Sequence, residues 1–142
     1  MNDLVWVFFY GGLINPEVMQ RVGMTPRSQE IAMLPGYELQ IAPWVNLVPN
    51  PRAVAYGLLM LVSHRELSHV YGQLKAPYVP FPVLAQDQEG RLRTALCYLS
   101  PGMQPGQADA SHVENLLHPA SRLGFPEWYL EKIRSYLPRA NG

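Results

Sequence analysis

The sequence has little of what marks several large classes of protein. Cys97 is the only cysteine among 142 residues, so the chain can form no internal disulfide. The 11 basic residues balance the 11 acidic ones. A chain with zero net charge has no excess of basic residues for binding nucleic acid or an anionic membrane. We therefore expect neither of these partners and favour a small molecule or another protein.

Long hydrophobic segments are also missing. The longest apolar stretch, residues 54–62, is too short to cross a bilayer. Residues 1–10 lack the basic start and the small-residue cleavage site of a signal peptide. No repeat or low-complexity tract divides the chain, and its length suits one domain. We expect a single cytoplasmic domain over residues 1–142, and the sequence carries no signal for its oligomeric state.

Metal-binding and nucleophilic patterns are absent as well. His64 and His69 are five residues apart, so on a helix they do not share a face. Cys97 lies in an apolar run, where a buried and inert thiol is the usual case. For His112 and His118 we expect surface or capping roles. We therefore predict no metal site and no cofactor.

The 14 prolines and the charged fraction of only 15% favour short strands joined by fixed turns. We predict an α+β domain in which a mixed or closed sheet of six or seven strands carries a few helices. The predicted strands cover residues 5–10, 31–34, 38–41, 46–48, 53–62, 78–85 and 92–99, with turns predicted at 34–37 and 49–51. The predicted helices cover residues 16–22, 65–71, 111–123 and 126–137.

Local signals support several of these boundaries. Ser63 and Glu66 have capping-box spacing, and so do Ser111 and Glu114. Gly57, inside a predicted central strand, indicates a bulge or the close approach of another group. The prolines in the strand at 78–85 favour an edge position. Residues 100–110 read as a linker or a lid.

The best candidate site lies at the start of the chain. A buried strand ends at Tyr10, Gly11 and Gly12 form a turn, and a helix begins after Asn15, a good N-cap. Free N–H groups of a glycine turn and a helix start bind a carboxylate or stabilise an oxyanion. The segment from Tyr10 to Leu13 is therefore the predicted binding site. The alternative is that these glycines only make a tight turn.

Four segments, taken in order, resemble the signatures of one protein family. They are Val7-Phe8-Phe9-Tyr10-Gly11-Gly12-Leu13, Leu34-Pro35-Gly36-Tyr37-Glu38-Leu39, residues 46–57 from Asn46-Leu47-Val48-Pro49 to Val54-Ala55-Tyr56-Gly57, and Arg122-Leu123-Gly124-Phe125-Pro126-Glu127-Trp128-Tyr129-Leu130. The family that they resemble is that of the γ-glutamylcyclotransferase-like proteins, and the match covers nearly the whole chain.

The resemblance implies a β-barrel-like fold with a pocket above the glycine turn. In that family the turn amides hold a γ-glutamyl group, and a glutamate moves the proton as the substrate amine attacks its own γ carbonyl and releases 5-oxoproline. The family's Glu-Gly is matched here by Tyr71-Gly72, and Gly12 replaces its serine or threonine. Tyr78 and Tyr98 match positions that line the pocket, although both can equally be core residues.

Two functions therefore stay open. In the first, the protein is an enzyme in which Tyr71 or a bound water relays the proton during acyl transfer. In the second, it binds a small molecule with a carboxylate and has no catalytic activity. A phenol has an ordinary pKa near 10, so it is almost never ionised at neutral pH. The residue at position 71 is thus where the two hypotheses differ.

Overall fold

A computed structural model describes residues 3–73, 77–104 and 106–138. Within them the chain forms five strands and four helices. The strands are β1 (Leu4–Phe9), β2 (Ser28–Ile41), β3 (Val45–Ser63), β4 (Val79–Asp87) and β5 (Leu92–Leu99). The helices are α1 (Pro16–Arg21), α2 (His64–Gln73), α3 (Ala110–Arg122) and α4 (Glu127–Arg134).

The strands form a closed barrel in the order β1-β3-β2-β4-β5. β1 pairs antiparallel with β3, and parallel pairing of Val7 with Leu96 joins β1 to β5. The expected α+β class and closed sheet are confirmed, but the expected six or seven strands are wrong, since the described residues form five. β2 continues through Pro35 and Gly36, where an irregularity shifts the register. β3 likewise continues through 49–51. Each long strand absorbs a proline segment that we predicted to be a turn.

Gly57 lies where β3 passes against β1. A Cβ atom built on Gly57 would stand 2.1 Å from the carbonyl oxygen of Phe9 and 2.9 Å from Cζ of Phe8. Of the two alternatives predicted for this glycine, the structure therefore shows close approach. The contact matters for the site, because Phe9 is the last residue of β1 before the glycine turn.

The helix starts were predicted with mixed success. The capping box at the start of α2 is confirmed, because Ser63 Oγ accepts from the Glu66 amide at 3.0 Å and Glu66 accepts from the Ser63 amide at 2.9 Å. The second capping box is wrong. α3 begins at Ala110, and its cap is Asp109, which accepts from both the amide and the hydroxyl of Ser111. A carboxylate was already available two residues before the predicted serine.

Other boundaries moved by a few residues. α2 extends past Tyr71 to Gln73, so the loop predicted at 72–77 starts later, and 74–76 lie outside the described residues. α4 ends at Arg134, short of the predicted 137. The edge position predicted for the proline-containing strand is wrong, since β4 lies between β2 and β5 in the closed barrel, although only Gln86 and Asp87 of β4 pair with β2. None of the described helices has the length and hydropathy needed to span a membrane.

Candidate functional site

A cavity of about 420 Å³ lies over the turn that follows β1. Its walls come from the turn, α1, α2, α3 and the segment between β2 and β3. It brings together six of the seven predicted site residues, which are Tyr10, Gly11, Gly12, Leu13, Tyr71 and Tyr78. The seventh, Tyr98, lies outside this lining and packs behind Tyr71. Residues far apart in sequence thus meet at one place.

The turn itself has hydrogen-bond donors that find no partner among the described residues. After Tyr10 the chain makes a short 3₁₀ turn, Gly12–Ile14, in which the amides of Ile14 and Asn15 donate to the carbonyls of Gly11 and Gly12 at 3.0 Å. The first N–H groups of a helical turn have no partner within it. The amides of Gly12 and Leu13 are such groups, and both residues line the cavity.

α1 begins directly after this turn. Its N-cap, Asn15, accepts from the Glu17 amide through its side-chain oxygen at 3.0 Å, as predicted. The same side chain donates to the carbonyl of Asn115 in α3 at 3.4 Å. The helix start is thereby tied to α3, which supplies another wall of the cavity.

Four tyrosines form the aromatic side of the site. The ring of Tyr71 stacks on Tyr98 with centroids 3.8 Å apart and planes 7° apart, and it meets Tyr78 edge-on at 6.1 Å. The hydroxyl of Tyr10 donates to the carbonyl of Tyr98 at 2.6 Å. That of Tyr78 donates to the carbonyl of Val45. The Tyr71 hydroxyl has no hydrogen-bond partner among the described residues, so it is free to meet a ligand.

Burial keeps these phenols protonated. It raises the pKa of Tyr10 and of Tyr71 well above the ordinary value, and it raises the pKa of Tyr78 to about 12. The pKa of Tyr98 is raised for the same reason. Neighbouring phenols also disfavour a negative charge on one another. At neutral pH the tyrosines of this site therefore act as neutral hydrogen-bonding groups.

No carboxylate lines the cavity. All 11 acidic residues of the sequence fall within the described ranges, and none belongs to its lining. Glu66, the acidic residue nearest to Tyr71 in sequence, is bound elsewhere by the amides of Ser63 and Thr25 and by the guanidinium of Arg27. Although burial opposes it, these partners lower the pKa of Glu66 to about 2. Glu66 is therefore a structural anion.

Among the residues of the lining that the sequence reasoning missed are two with ionisable side chains, Arg21 and His112. Arg21 ends α1 and lines the cavity without an ion pair to any described residue. His112, which we expected at the surface or in a cap, is part of the lining, and its Nδ1 is buried without a partner. Arg21 could have been predicted, because it lies at the end of the short helix that directly follows the glycine turn. The position of His112 depends on how α3 packs, which no local pattern shows.

A second, larger groove of about 650 Å³ lies on the other side of α1. Met19, Met24 and Met60 contribute to its wall, and none of the four tyrosines does. The larger groove lacks Gly12 and its amide donor, so the smaller cavity is the better candidate site. The described residues contain no cluster of histidine, cysteine and acidic side chains arranged to hold a metal.

Comparison with known proteins shows which solved structures share this fold. No protein-family model matches the sequence, and no curated protein matches it. Solved structures do match. A γ-glutamyl cyclotransferase aligns with 98% of this chain and 92% of its own, at a TM-score of 0.83 and 18% identity. An uncharacterised human protein aligns with 99% of this chain and 92% of its own, at a TM-score of 0.81 and 18% identity.

A third structure is a yeast γ-glutamyl cyclotransferase specific to glutathione. It aligns with 99% of this chain and 100% of its own, at a TM-score of 0.66 and 11% identity. Identities this low show the fold alone. The chain adopts the γ-glutamyl cyclotransferase-like fold over nearly its whole length, as the four sequence segments predicted.

Proposed function

We propose that this protein of γ-glutamyl cyclotransferase-like fold binds a small γ-glutamyl-like molecule, which carries a carboxylate, above the turn from Tyr10 to Leu13. The observation that carries the proposal is a cavity with unused amide donors at Gly12 and Leu13 and no acidic side chain. Amide donors at a turn favour an anionic group, and Arg21 adds a positive charge to the same wall.

The same cavity argues against the cyclisation reaction of the related enzymes. That reaction requires a group that removes a proton from an ammonium and returns it to the leaving amine. At the position of the family's glutamate stands Tyr71, whose pKa is raised well above the phenol value by burial. A proton acceptor of this kind is almost entirely protonated at neutral pH. We therefore favour binding without the standard cyclotransferase activity.

One observation supports a second candidate, acyl transfer with a tyrosine relay. The hydroxyl of Tyr71 has no hydrogen-bond partner among the described residues, and Tyr71 lines the cavity. A phenol can accept a proton while it donates its own, so a relay does not require an ionised intermediate. In this case the turn amides would stabilise the oxyanion.

The experiment combines two assays on the purified protein. γ-Glutamyl dipeptides are incubated with it and 5-oxoproline is measured, while binding of the same compounds is followed by calorimetry. We expect binding without 5-oxoproline. Substantial turnover would contradict the binding-only proposal, and loss of that turnover in Tyr71→Phe would support the relay. If the dipeptides neither bind nor react, both candidates are wrong.

A further inference from the structure

The charge of the cavity wall has a consequence for the ligand, which rests on the proposed binding function. Among the described residues of the lining, Arg21 is the only one whose side chain carries a permanent charge, since none of them is acidic. We propose that the cavity prefers molecules that carry an anionic group and no ammonium group. Monoamides of dicarboxylic acids fit it best, whereas γ-glutamyl amines, which add an ammonium group to the same carboxylate, bind more weakly.

The first step concerns the anion. Arg21 occupies the last turn of α1, where the guanidinium makes no hydrogen bond or ion pair with a described residue. Glu17 lies one helical turn earlier, at a spacing that often gives an ion pair, yet the two are not paired. The guanidinium is therefore available to a carboxylate entering the cavity, and it can bind two oxygens at once.

The second step concerns the ammonium. A buried ammonium needs a carboxylate or several free acceptor oxygens, because burying an unpaired charge is strongly unfavourable. The carbonyls of Val45 and Tyr98 already accept from the hydroxyls of Tyr78 and Tyr10. The carbonyl of Asn115 already accepts from Asn15. The side-chain oxygens that remain in the lining, those of Tyr71, Gln73 and Asn115, are neutral and compensate an ammonium less well than a carboxylate would.

The third step concerns the aromatic rings, which attract cations when a ring face is open. One face of Tyr71 is covered by Tyr98, whose ring lies parallel to it at 3.8 Å. Tyr78 meets the same ring edge-on. The stacked pair therefore presents less open aromatic surface than a cage of separate rings does, and the net electrostatic character of the wall is set by Arg21.

Three probes separate the two charges. They are γ-L-glutamyl methylamide, which has both the carboxylate and the ammonium, glutaric acid monomethylamide, which has the carboxylate alone, and N,N′-dimethylglutaramide, which has neither. Each is titrated into the wild-type protein by calorimetry. We expect the monoamide to bind about tenfold tighter than the γ-glutamyl compound. The neutral diamide should bind more weakly than the monoamide.

Two matched variants test the role of Arg21. Arg21→Gln removes the charge from the cavity wall, while Arg65→Gln removes the charge of an exposed arginine on α2 that is not in the lining. Because Arg21 is exposed to solvent, we expect Arg21→Gln to weaken monoamide binding by about fivefold. Arg65→Gln should leave it unchanged. Circular dichroism checks that both variants are folded.

The outcomes distinguish this inference from the function on which it rests. Equal or tighter binding of the γ-glutamyl compound overturns the preference against an ammonium group and leaves the binding function intact. Equal monoamide affinity in wild type and Arg21→Gln overturns the assignment of the anion to Arg21. If none of the three probes binds, the proposed function fails and the ligand class fails with it.

Discussion

Replacing Tyr71 by glutamate puts a carboxylate on the cavity wall, at the position that the sequence resemblance predicts for the catalytic glutamate. The substitution removes a ring stacked at 3.8 Å on Tyr98, and such pairs contribute about 1 kcal/mol beyond their burial. The lost apolar burial of a half-buried ring adds about 1–2 kcal/mol. We therefore expect Tyr71→Glu to lower the free energy of unfolding by about 2–3 kcal/mol before any charge effect.

The charge effect has a definite sign. The burial that raises the pKa of Tyr71 will also raise the pKa of a carboxyl placed there, since both acids ionise to an anion. A group with a raised folded-state pKa contributes stability below its unfolded pKa and loses it as the pH rises through the folded value. Tyr71→Glu should therefore be less stable at about pH 8 than at about pH 5. The loss is about 1.4 kcal/mol for each pH unit by which the folded-state pKa of the carboxyl exceeds its unfolded-state pKa.

Tyr71→Gln is the matched control, because an amide has the size of a protonated carboxyl and does not titrate. Urea unfolding is measured for both variants at the two pH values, and the difference between them isolates the charge. A second control, Tyr71→Phe, keeps the stacked ring and should stay within about 1 kcal/mol of wild type, since the hydroxyl has no partner among the described residues. Equal stabilities of the glutamate and glutamine variants at both pH values would refute the desolvation argument.

The activity of the same variants tests the role of position 71 in chemistry. We expect Tyr71→Glu, and not Tyr71→Gln, to form 5-oxoproline from γ-glutamyl dipeptides, because general-base effects are typically worth about 100- to 10,000-fold. A folded Tyr71→Glu protein that forms none would mean that the cavity differs from the related enzymes in more than its base. Ligands without an ammonium group should then be tested next.

Two further predictions concern the frame of the site. Backbone amides and the Arg27 guanidinium lower the pKa of Glu66 to about 2, although burial opposes them. The ionised Glu66 should therefore contribute about 2–3 kcal/mol to the free energy of unfolding above pH 4.5, and this contribution should be lost toward pH 2. The acid-unfolding profile of Glu66→Gln should lack that loss. Gly57→Ala should lower the free energy of unfolding by about 3 kcal/mol or more, because the new Cβ would stand 2.1 Å from the carbonyl oxygen of Phe9. Gly72→Ala, in a helix and with open space around the new Cβ, should raise the free energy of unfolding by about 0.5–1 kcal/mol. Similar urea midpoints for the two variants would contradict the close approach at Gly57.

Sequence reasoning succeeded where the cause is local. The strand before Tyr10, the cap at Asn15 and the capping box of α2 each depend on residues within about five positions of one another, and all three are present. The predicted turn at Pro35 and Gly36 failed because pairing with β3 continues on both sides of it. The free energy of that long pairing overrides the turn preference of two residues.

The candidate site divides in the same way. Tyr10 to Leu13 form one local segment, and the family-like spacing of Tyr71 and Tyr78 identified the facing wall. Arg21 and His112 were missed because the packing of α1 and α3 over the turn decides what they face. Tyr98 was predicted to line the pocket, and its ring instead supports Tyr71 from behind. Its role is therefore visible only in three dimensions.

Position 71 combines packing and chemistry in one side chain. A carboxylate there would need solvent or a cationic partner, whereas the phenol stacks on Tyr98 and thereby connects α2 to β5 across the rim of the barrel. The ring thus stabilises the wall that a charged base would weaken. Arg21 has no anion partner among the described residues, so its positive charge is available to a ligand. On the proposed function, both the absence of the standard cyclisation and the preference for an anionic ligand agree with a tyrosine in place of a carboxylate at position 71.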